Sequence, residues 1–117
     1  MKIIILIAIV SLTALNCSKH NNQGSLKNVP ECIAQKIQDL KSKPKQNPPG
    51  EVNEYEYKGN RVYVFNSPCC DQYNIAYDKN CTPVCAPSGG FTGGGDGLCK
   101  GFFEEAKHIG LIWKDER

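Results

Sequence analysis

The sequence predicts a small α+β domain in which an N-terminal helix packs on an antiparallel sheet of three or four strands. Three observations predict this class: a helical apolar stripe, a two-residue turn between alternating strands, and clustered cysteines that can staple a thin core. A glycine-rich loop and a short C-terminal helix complete the expected fold. With 117 residues the chain has room for one domain, which we place at residues 29–117.

The first element of this domain is a helix predicted over residues 28–43. Ile33, Ile37 and Leu40 recur at helical spacing and form one apolar stripe. Pro30 falls in the first turn, where its missing N–H group does no harm. A proline-rich loop follows the helix.

A β-hairpin is predicted next, over residues 51–66. Gly59 and Asn60 form a two-residue turn with glycine first, which suits a type II′ turn. The resulting register places four apolar residues on one face: Tyr55, Tyr57, Val62 and Val64. The opposite face carries the charged residues Glu54, Glu56, Lys58 and Arg61, with Tyr63 and Phe65 as apolar exceptions.

The C-terminal half is predicted to continue the sheet and end in a helix. Two short strands are expected at 73–77 and 83–86, followed by a glycine-rich loop at 88–97. Residues 101–109 are expected to form the short helix, since Phe102, Phe103, Ala106 and Ile109 would share one face. Residues 111–113 are then an apolar plug or an edge strand.

Residues 1–16 are predicted to be a signal peptide. Lys2 precedes an apolar run of the length of a signal-peptide core, which is too short for a spanning helix. Cys17 follows directly and resembles the lipid-attachment cysteine of bacterial lipoproteins, although Ala14 and Asn16 stand where that motif has leucine and a small residue. The polar residues 17–28 would then be a flexible tether.

Lipid on Cys17 predicts a protein of the cell envelope, anchored to the outer or inner membrane and facing the periplasm, with surface exposure as a variant. The alternative is a soluble secreted protein rich in disulfides. Without the signal peptide, 13 basic residues balance 12 acidic ones, which excludes a strongly basic nucleic-acid binder.

Three disulfides are predicted, because an even number of cysteines remains in the domain once Cys17 carries lipid. The six candidates are Cys32, Cys69, Cys70, Cys81, Cys85 and Cys99. Of the 15 pairings, we expect those that join the neighbours Cys69 and Cys70 to be disfavoured by strain, which leaves 12 open. The irregular spacing, with no histidine among the six, disfavours a zinc site.

The glycine-rich loop lacks the spacing of a phosphate-binding or dinucleotide-binding motif. We interpret it as a tight loop in which glycine supplies positive φ angles, or as a recognition loop that displays Phe91 and Thr92. A small-ligand or calcium site formed by Asp78, Asn80 and Asp96 is an alternative, although the sequence does not match an EF-hand.

A catalytic function is not expected, because no nucleophile has a recognisable base beside it. His20 and His108 are the only histidines; we place the first in the tether and the second at the end of the C-terminal helix. Glu104 and Glu105 are adjacent on that helix and are expected to be solvated. We expect no cofactor.

The segment from Cys69 to Cys99 carries the most distinctive pattern, CCDQ followed by C-x-P-x-GG-x-TG-x-GDG-x-C. With FFEE and LIW-x-D further on, the chain resembles an uncharacterised family of small Bacteroidota-type lipoproteins over roughly residues 30 to 115. Cys81 departs from that family's pattern, which implies that Cys81 either pairs an otherwise odd cysteine or is free. The expected function is a monomeric, non-catalytic binding or envelope-structural module whose partner is an unidentified envelope protein or ligand.

Overall fold

The computed structural model describes residues 26–117, which form a helix packed on a five-stranded antiparallel sheet. In chain order the elements are a 3-10 turn at Leu26–Asn28, α1 at Glu31–Ser42, β1 at Glu51–Tyr57, β2 at Asn60–Phe65, β3 at Tyr73–Tyr77, β4 at Pro83–Gly89, α2 at Phe102–Glu105 and β5 at Lys107–Lys114. The strand order is β4-β3-β2-β1-β5. In this part of the chain no helix is long and apolar enough to cross a bilayer. The α+β class is confirmed, with one strand more than predicted.

The β1–β2 hairpin is confirmed, but its predicted turn and register are wrong. The loop consists of Lys58 and Gly59, with φ angles of 49° and 79°, and Asn60 is already the first residue of β2. Two positive φ angles are typical of a type I′ turn, whose twist matches that of the flanking strands. Tyr55 therefore pairs with Val62. The faces are nevertheless as predicted, because the partner shifts by two residues and side chains alternate with a period of two.

The predicted C-terminal helix is also wrong beyond its first turn. The helix α2 ends at Glu105, and the chain continues as β5, which pairs with the free edge of β1. Ile109 and His108 are strand residues, and Gly110 lies opposite Glu54 rather than ending a helix. The apolar residues have helical spacing, but this segment forms a strand because β1 offers it backbone hydrogen-bond partners. Those partners lie about fifty residues away in the sequence.

The face of the sheet beneath α1 forms one of two apolar clusters. Ile33 and Ile37 are completely buried against Val52 and Tyr63. Phe65 packs at the edge of this cluster. The two apolar exceptions on the charged face of the hairpin are therefore explained, since α1 covers that face.

The opposite face is covered by α2 and the loop that precedes it. Phe102 is 1 % exposed, and its ring centroid lies 4.8 Å from that of Tyr57. The same cluster contains Val62, Val64, Ala76, Cys85 and Cys99. The sheet is thus the middle layer of three, which explains why both faces of β2 are apolar.

The C-terminal residues join the sheet to the end of α1. Asp115 is 4 % exposed and accepts hydrogen bonds from Arg117 Nε at 2.9 Å and Nη2 at 2.6 Å. Arg117 Nη1 donates to the carbonyl oxygens of Lys41 and Lys43, which are left without partners at the end of the helix. The hydrogen bonds from Arg117 lower the pKa of Asp115 from 3.8 to about 2.

Acid should weaken this contact in a defined pH window. Because the pKa of Asp115 is lower in the folded state, its contribution to stability is complete above about pH 4 and is lost as the pH falls towards 2. We expect Asp115→Asn to destabilise the protein at pH 6, and the gap to the parent chain to shrink below pH 4. Denaturant unfolding at several pH values measures this gap. The exposed neighbour Glu116→Gln is the control, and a gap independent of pH would contradict the assignment.

Candidate functional site

The predicted lipid-attachment residue Cys17 and the signal peptide lie outside the described residues, as does His20. Of the predicted tether, residues 26–28 form the 3-10 turn, and Leu26 packs against the cluster beneath α1.

All six cysteines of the domain are paired in the structure. The pairs are Cys32–Cys81, Cys69–Cys70 and Cys85–Cys99. The expectation that the two neighbouring cysteines would not pair is wrong. Cys69 and Cys70 lie together in one exposed loop, and the other four cysteines are paired with one another.

Two of these disulfides position loops around the sheet. The Cys32–Cys81 bond joins the first turn of α1 to the β3–β4 turn, so Cys81 is not free. The Cys85–Cys99 bond, with Cα atoms 6.0 Å apart, closes the glycine-rich segment onto β4. Both Cα separations lie in the usual disulfide range.

The structure does not bring the three predicted ion-binding residues together. Asp78 Oδ1 accepts from the N–H groups of Asn80 and Thr82 in the β3–β4 turn. Asp96 accepts from the N–H groups of Ala86 and Leu98. The residues that the two carboxylates bind, Thr82 and Ala86, lie four positions apart along the chain, roughly 13 Å in an extended strand. Each carboxylate thus stabilises its own loop, and among residues 26–117 no group of three or more His, Cys, Asp or Glu side chains is placed to hold a metal ion.

The glycine loop, residues 89–97, is held by its own backbone. Seven N–H groups between Gly89 and Leu98 donate to acceptors within the fold, including Gly90 N–H to Gln72 O at 2.9 Å and Gly95 N–H to Gly89 O at 3.0 Å. Five of its glycines have positive φ, among them Gly89 and Gly95. Since few N–H groups remain free, the loop is a structural support and not an anion-binding nest.

This rigid support presents one large apolar side chain. Phe91 is 90 % exposed at the end of the loop, beside Thr92. Its neighbour Gly90 packs directly on the ring of Tyr73, where a Cβ atom would collide. The contact between Gly90 and Tyr73 therefore fixes the backbone next to Phe91 against the surface around Tyr73.

Adjacent glycines in the loop should differ sharply in their tolerance of alanine. At Gly95, φ is 79° and an added Cβ would collide with the carbonyl oxygen of Ala86. At Gly94 the nearest atom would be 3.5 Å away, and φ is outside the left-handed region. We expect Gly95→Ala to lower the free energy of unfolding by about 1–3 kcal/mol, and Gly94→Ala to change it by about 1 kcal/mol or less. Denaturant unfolding of both variants tests this, and equal effects would contradict it.

A groove runs between α1 and β3 and reaches the loop at Tyr73. Its volume is about 280 Å³, and aromatic rings of Phe65, Tyr73 and Tyr77 line it. Lys36 and Asp39 of α1, and Lys43 just after its end, line the opposite side. No sequence pattern predicted this groove, although the tyrosines at positions 73 and 77 share one side of the predicted strand.

Charge differs between the layers that flank the sheet. Residues 31–45, which include α1, contain four lysines and two acidic residues. Residues 89–106, which include the glycine loop and α2, contain three acidic residues and one lysine. The groove lining itself carries both signs, with Lys36, Lys43 and Asp39. Glu104 and Glu105 lie on α2 rather than beside Phe91.

His108 lies in β5 and not at a helix end. Its Nε2 is 2.9 Å from Asn53 Oδ1, and Asn53 donates through Nδ2 to Glu51 at 2.7 Å. Because the amide nitrogen of Asn53 is used by Glu51, its oxygen accepts from the imidazole. Glu104 and Glu105 are exposed on α2, as expected from the sequence. These hydrogen bonds orient the imidazole and join β5 to β1.

Comparison with known proteins identifies the family but no function. Residues 38–115 match the family model described as a domain of unknown function (DUF6970). No curated protein and no solved structure matches the chain. The matched region spans more than half of the 117 residues and includes the sheet, the glycine loop and every residue lining the groove except Lys36. The chain therefore belongs to the DUF6970 family.

Proposed function

We propose that the protein is a non-catalytic protein-binding module, held at a bacterial membrane by lipid on Cys17, and that the glycine loop presents Phe91 to the partner. The observation that carries the proposal is the exposure of Phe91, 90 %, on a loop fixed by hydrogen bonds and by the Cys85–Cys99 disulfide. An aromatic side chain held in a rigid loop loses little conformational entropy on binding, and such residues dominate interface energies.

The position of the loop supports binding away from the anchoring membrane. The 3-10 turn at Leu26–Asn28 leads into α1, and Cys32–Cys81 places the start of α1 at the β3–β4 turn. The glycine loop follows the end of β4, at the opposite end of the sheet. The helix α1 has 12 residues and so spans about 18 Å between the two ends.

Lipid attachment is tested by the mass of the intact protein extracted in detergent. We expect a chain that starts at Cys17 and carries acyl groups, and a Cys17→Ser variant that is released from the membrane fraction. Ser18→Ala, one residue further on, should remain anchored. A lipid-free parent chain would contradict the anchor and favour the soluble secreted alternative.

Binding through the loop is tested by photo-cross-linking in native membranes. The photoreactive p-benzoylphenylalanine replaces Phe91 in the full chain, and Val84, 41 % exposed on β4, is replaced in the same way as the control. We expect protein adducts from position 91 that position 84 does not give. Equal adducts at both positions, or adducts with lipid alone, would contradict the proposed function.

A further inference from the structure

The disulfide Cys69–Cys70 differs from the other two in its exposure. Both of its residues are exposed, in the loop that joins β2 to β3. Cys85 and Cys99 are 4 % and 5 % exposed within the cluster that contains Phe102. The third disulfide is half-buried at the edge of the cluster beneath α1. Because an attacking thiolate must reach a sulfur atom, access directs thiol–disulfide exchange to the exposed pair.

The three disulfides also differ in how much chain they constrain. The Cys69–Cys70 bond has a sequence separation of 1, so its opening releases almost no loop-closure entropy. The separation for Cys32–Cys81 is 49, and the opening of that bond frees a long loop. The exposed pair can therefore open while the domain stays folded.

The loop that carries the pair is held by contacts that do not involve the sulfur atoms. The N–H group of Cys69 donates to the carbonyl oxygen of Asn47 at 2.9 Å. The N–H group of Ser67 donates to Asn74 Oδ1 at 2.7 Å, and Ser67 Oγ donates to the carbonyl oxygen of Gln72 at 3.2 Å. These bonds keep the loop on the domain when the disulfide opens, so the two thiols remain neighbours and can pair again.

We propose that Cys69–Cys70 is a reversible thiol–disulfide exchange site whose reaction partners are thiols, either a small thiol or a protein dithiol. The reaction modifies the chain stoichiometrically and leaves the other two disulfides closed. This inference goes beyond the proposed binding function and does not depend on it.

The exchange proceeds through a mixed disulfide. A donor thiolate attacks one Sγ atom of the pair, the new S–S bond forms as the Cys69–Cys70 bond breaks, and the other sulfur leaves as a thiolate. A second donor thiolate attacks the donor sulfur of the mixed disulfide and releases the remaining cysteine thiolate. The two cysteine thiolates take up the two protons that the donor thiols lost. Two electrons thus pass from the donor, which becomes a disulfide, to the pair, which becomes two thiols.

The test treats the purified full chain, in detergent and native buffer, with reduced glutathione or with a thioredoxin-type dithiol protein. N-ethylmaleimide then labels free thiols, and peptide masses locate the label. We expect Cys69 and Cys70 to be labelled faster than the other four domain cysteines by about tenfold or more, with an unchanged circular dichroism spectrum. Oxidised glutathione, added before the label, should close the pair again. In Cys69→Ser/Cys70→Ser, the remaining domain cysteines should stay unlabelled over the same period.

The two donors distinguish the source of the thiol. Opening by the dithiol protein alone identifies a protein dithiol as the donor, whereas opening by glutathione shows that a small thiol is sufficient. Labelling of the other domain cysteines at an equal rate, or no labelling of the pair while the domain stays folded, would overturn the inference. So would a reduced pair that oxidised glutathione leaves open or converts to stable mixed disulfides.

Discussion

Replacing Phe102 with alanine is expected to lower the free energy of unfolding by about 3–5 kcal/mol. Phe102 is 1 % exposed and packs between the rings of Tyr55 and Tyr57, at centroid distances of 5.3 and 4.8 Å. The cavity would lie in the cluster that joins α2 to the sheet, so the surroundings cannot collapse without moving the disulfide-closed loop. A loss of this size lowers the melting temperature by roughly 15 °C or more.

Phe103 is the matched control for this prediction. It is the adjacent residue and the same amino acid, but it is 51 % exposed and contacts Tyr55 from outside at 6.0 Å. We expect Phe103→Ala to cost about 1 kcal/mol or less. Denaturant unfolding of the two variants measures the difference. Similar losses would mean that α2 does not pack as the structure has it.

Removing the Cys32–Cys81 disulfide is expected to cost about 4 kcal/mol, the loop-closure value for its sequence separation of 49. The bond joins the α1 segment to the β3–β4 turn, so its loss lets these two segments separate in the unfolded chain and raises the entropy of that state. The double variant Cys32→Ala/Cys81→Ala leaves no unpaired thiol. Its melting temperature and denaturant midpoint measure the loss.

The pair Cys69–Cys70 provides the control. Its sequence separation is 1, so it closes almost no chain loop, and both residues are exposed. We therefore expect Cys69→Ala/Cys70→Ala to change stability far less than the loss of Cys32–Cys81. A larger loss from the neighbouring pair would contradict the loop-closure account and indicate that Cys69 and Cys70 support the groove.

The first helix and the hairpin could be predicted because the residue patterns that specify them lie within short segments of the sequence. The stripe of Ile33 and Ile37 predicted α1, and the alternation around Gly59 predicted the hairpin with the right faces. The hairpin register was wrong because Lys58-Gly59 and Gly59-Asn60 are both plausible two-residue turns. The choice between them depends on how the strands twist within the sheet.

The candidate site was predictable only in part. The tight glycine loop was expected, because glycine-rich segments without a phosphate motif form tight turns, and the display of Phe91 was the alternative interpretation of the same segment. The groove was not expected, since its walls come from α1 and β3, more than thirty residues apart. Asp78 and Asp96 were grouped by composition, whereas the structure separates them by their hydrogen bonds to different turns.

The sequence by itself determined the α+β class, the first helix, the hairpin faces and a cysteine-rich domain, all of which depend on spacing within short segments. The tertiary structure alone decided that Lys107–Lys114 is a fifth strand, that Cys69 pairs with Cys70, and that Arg117 binds the end of α1. Each of these depends on what the fold places nearby. The fifth strand needs the free edge of β1, the Cys69–Cys70 pair is what remains when the other four cysteines are paired, and Arg117 needs helix carbonyl oxygens without partners. Those neighbours come from distant parts of the chain, and no local pattern encodes them.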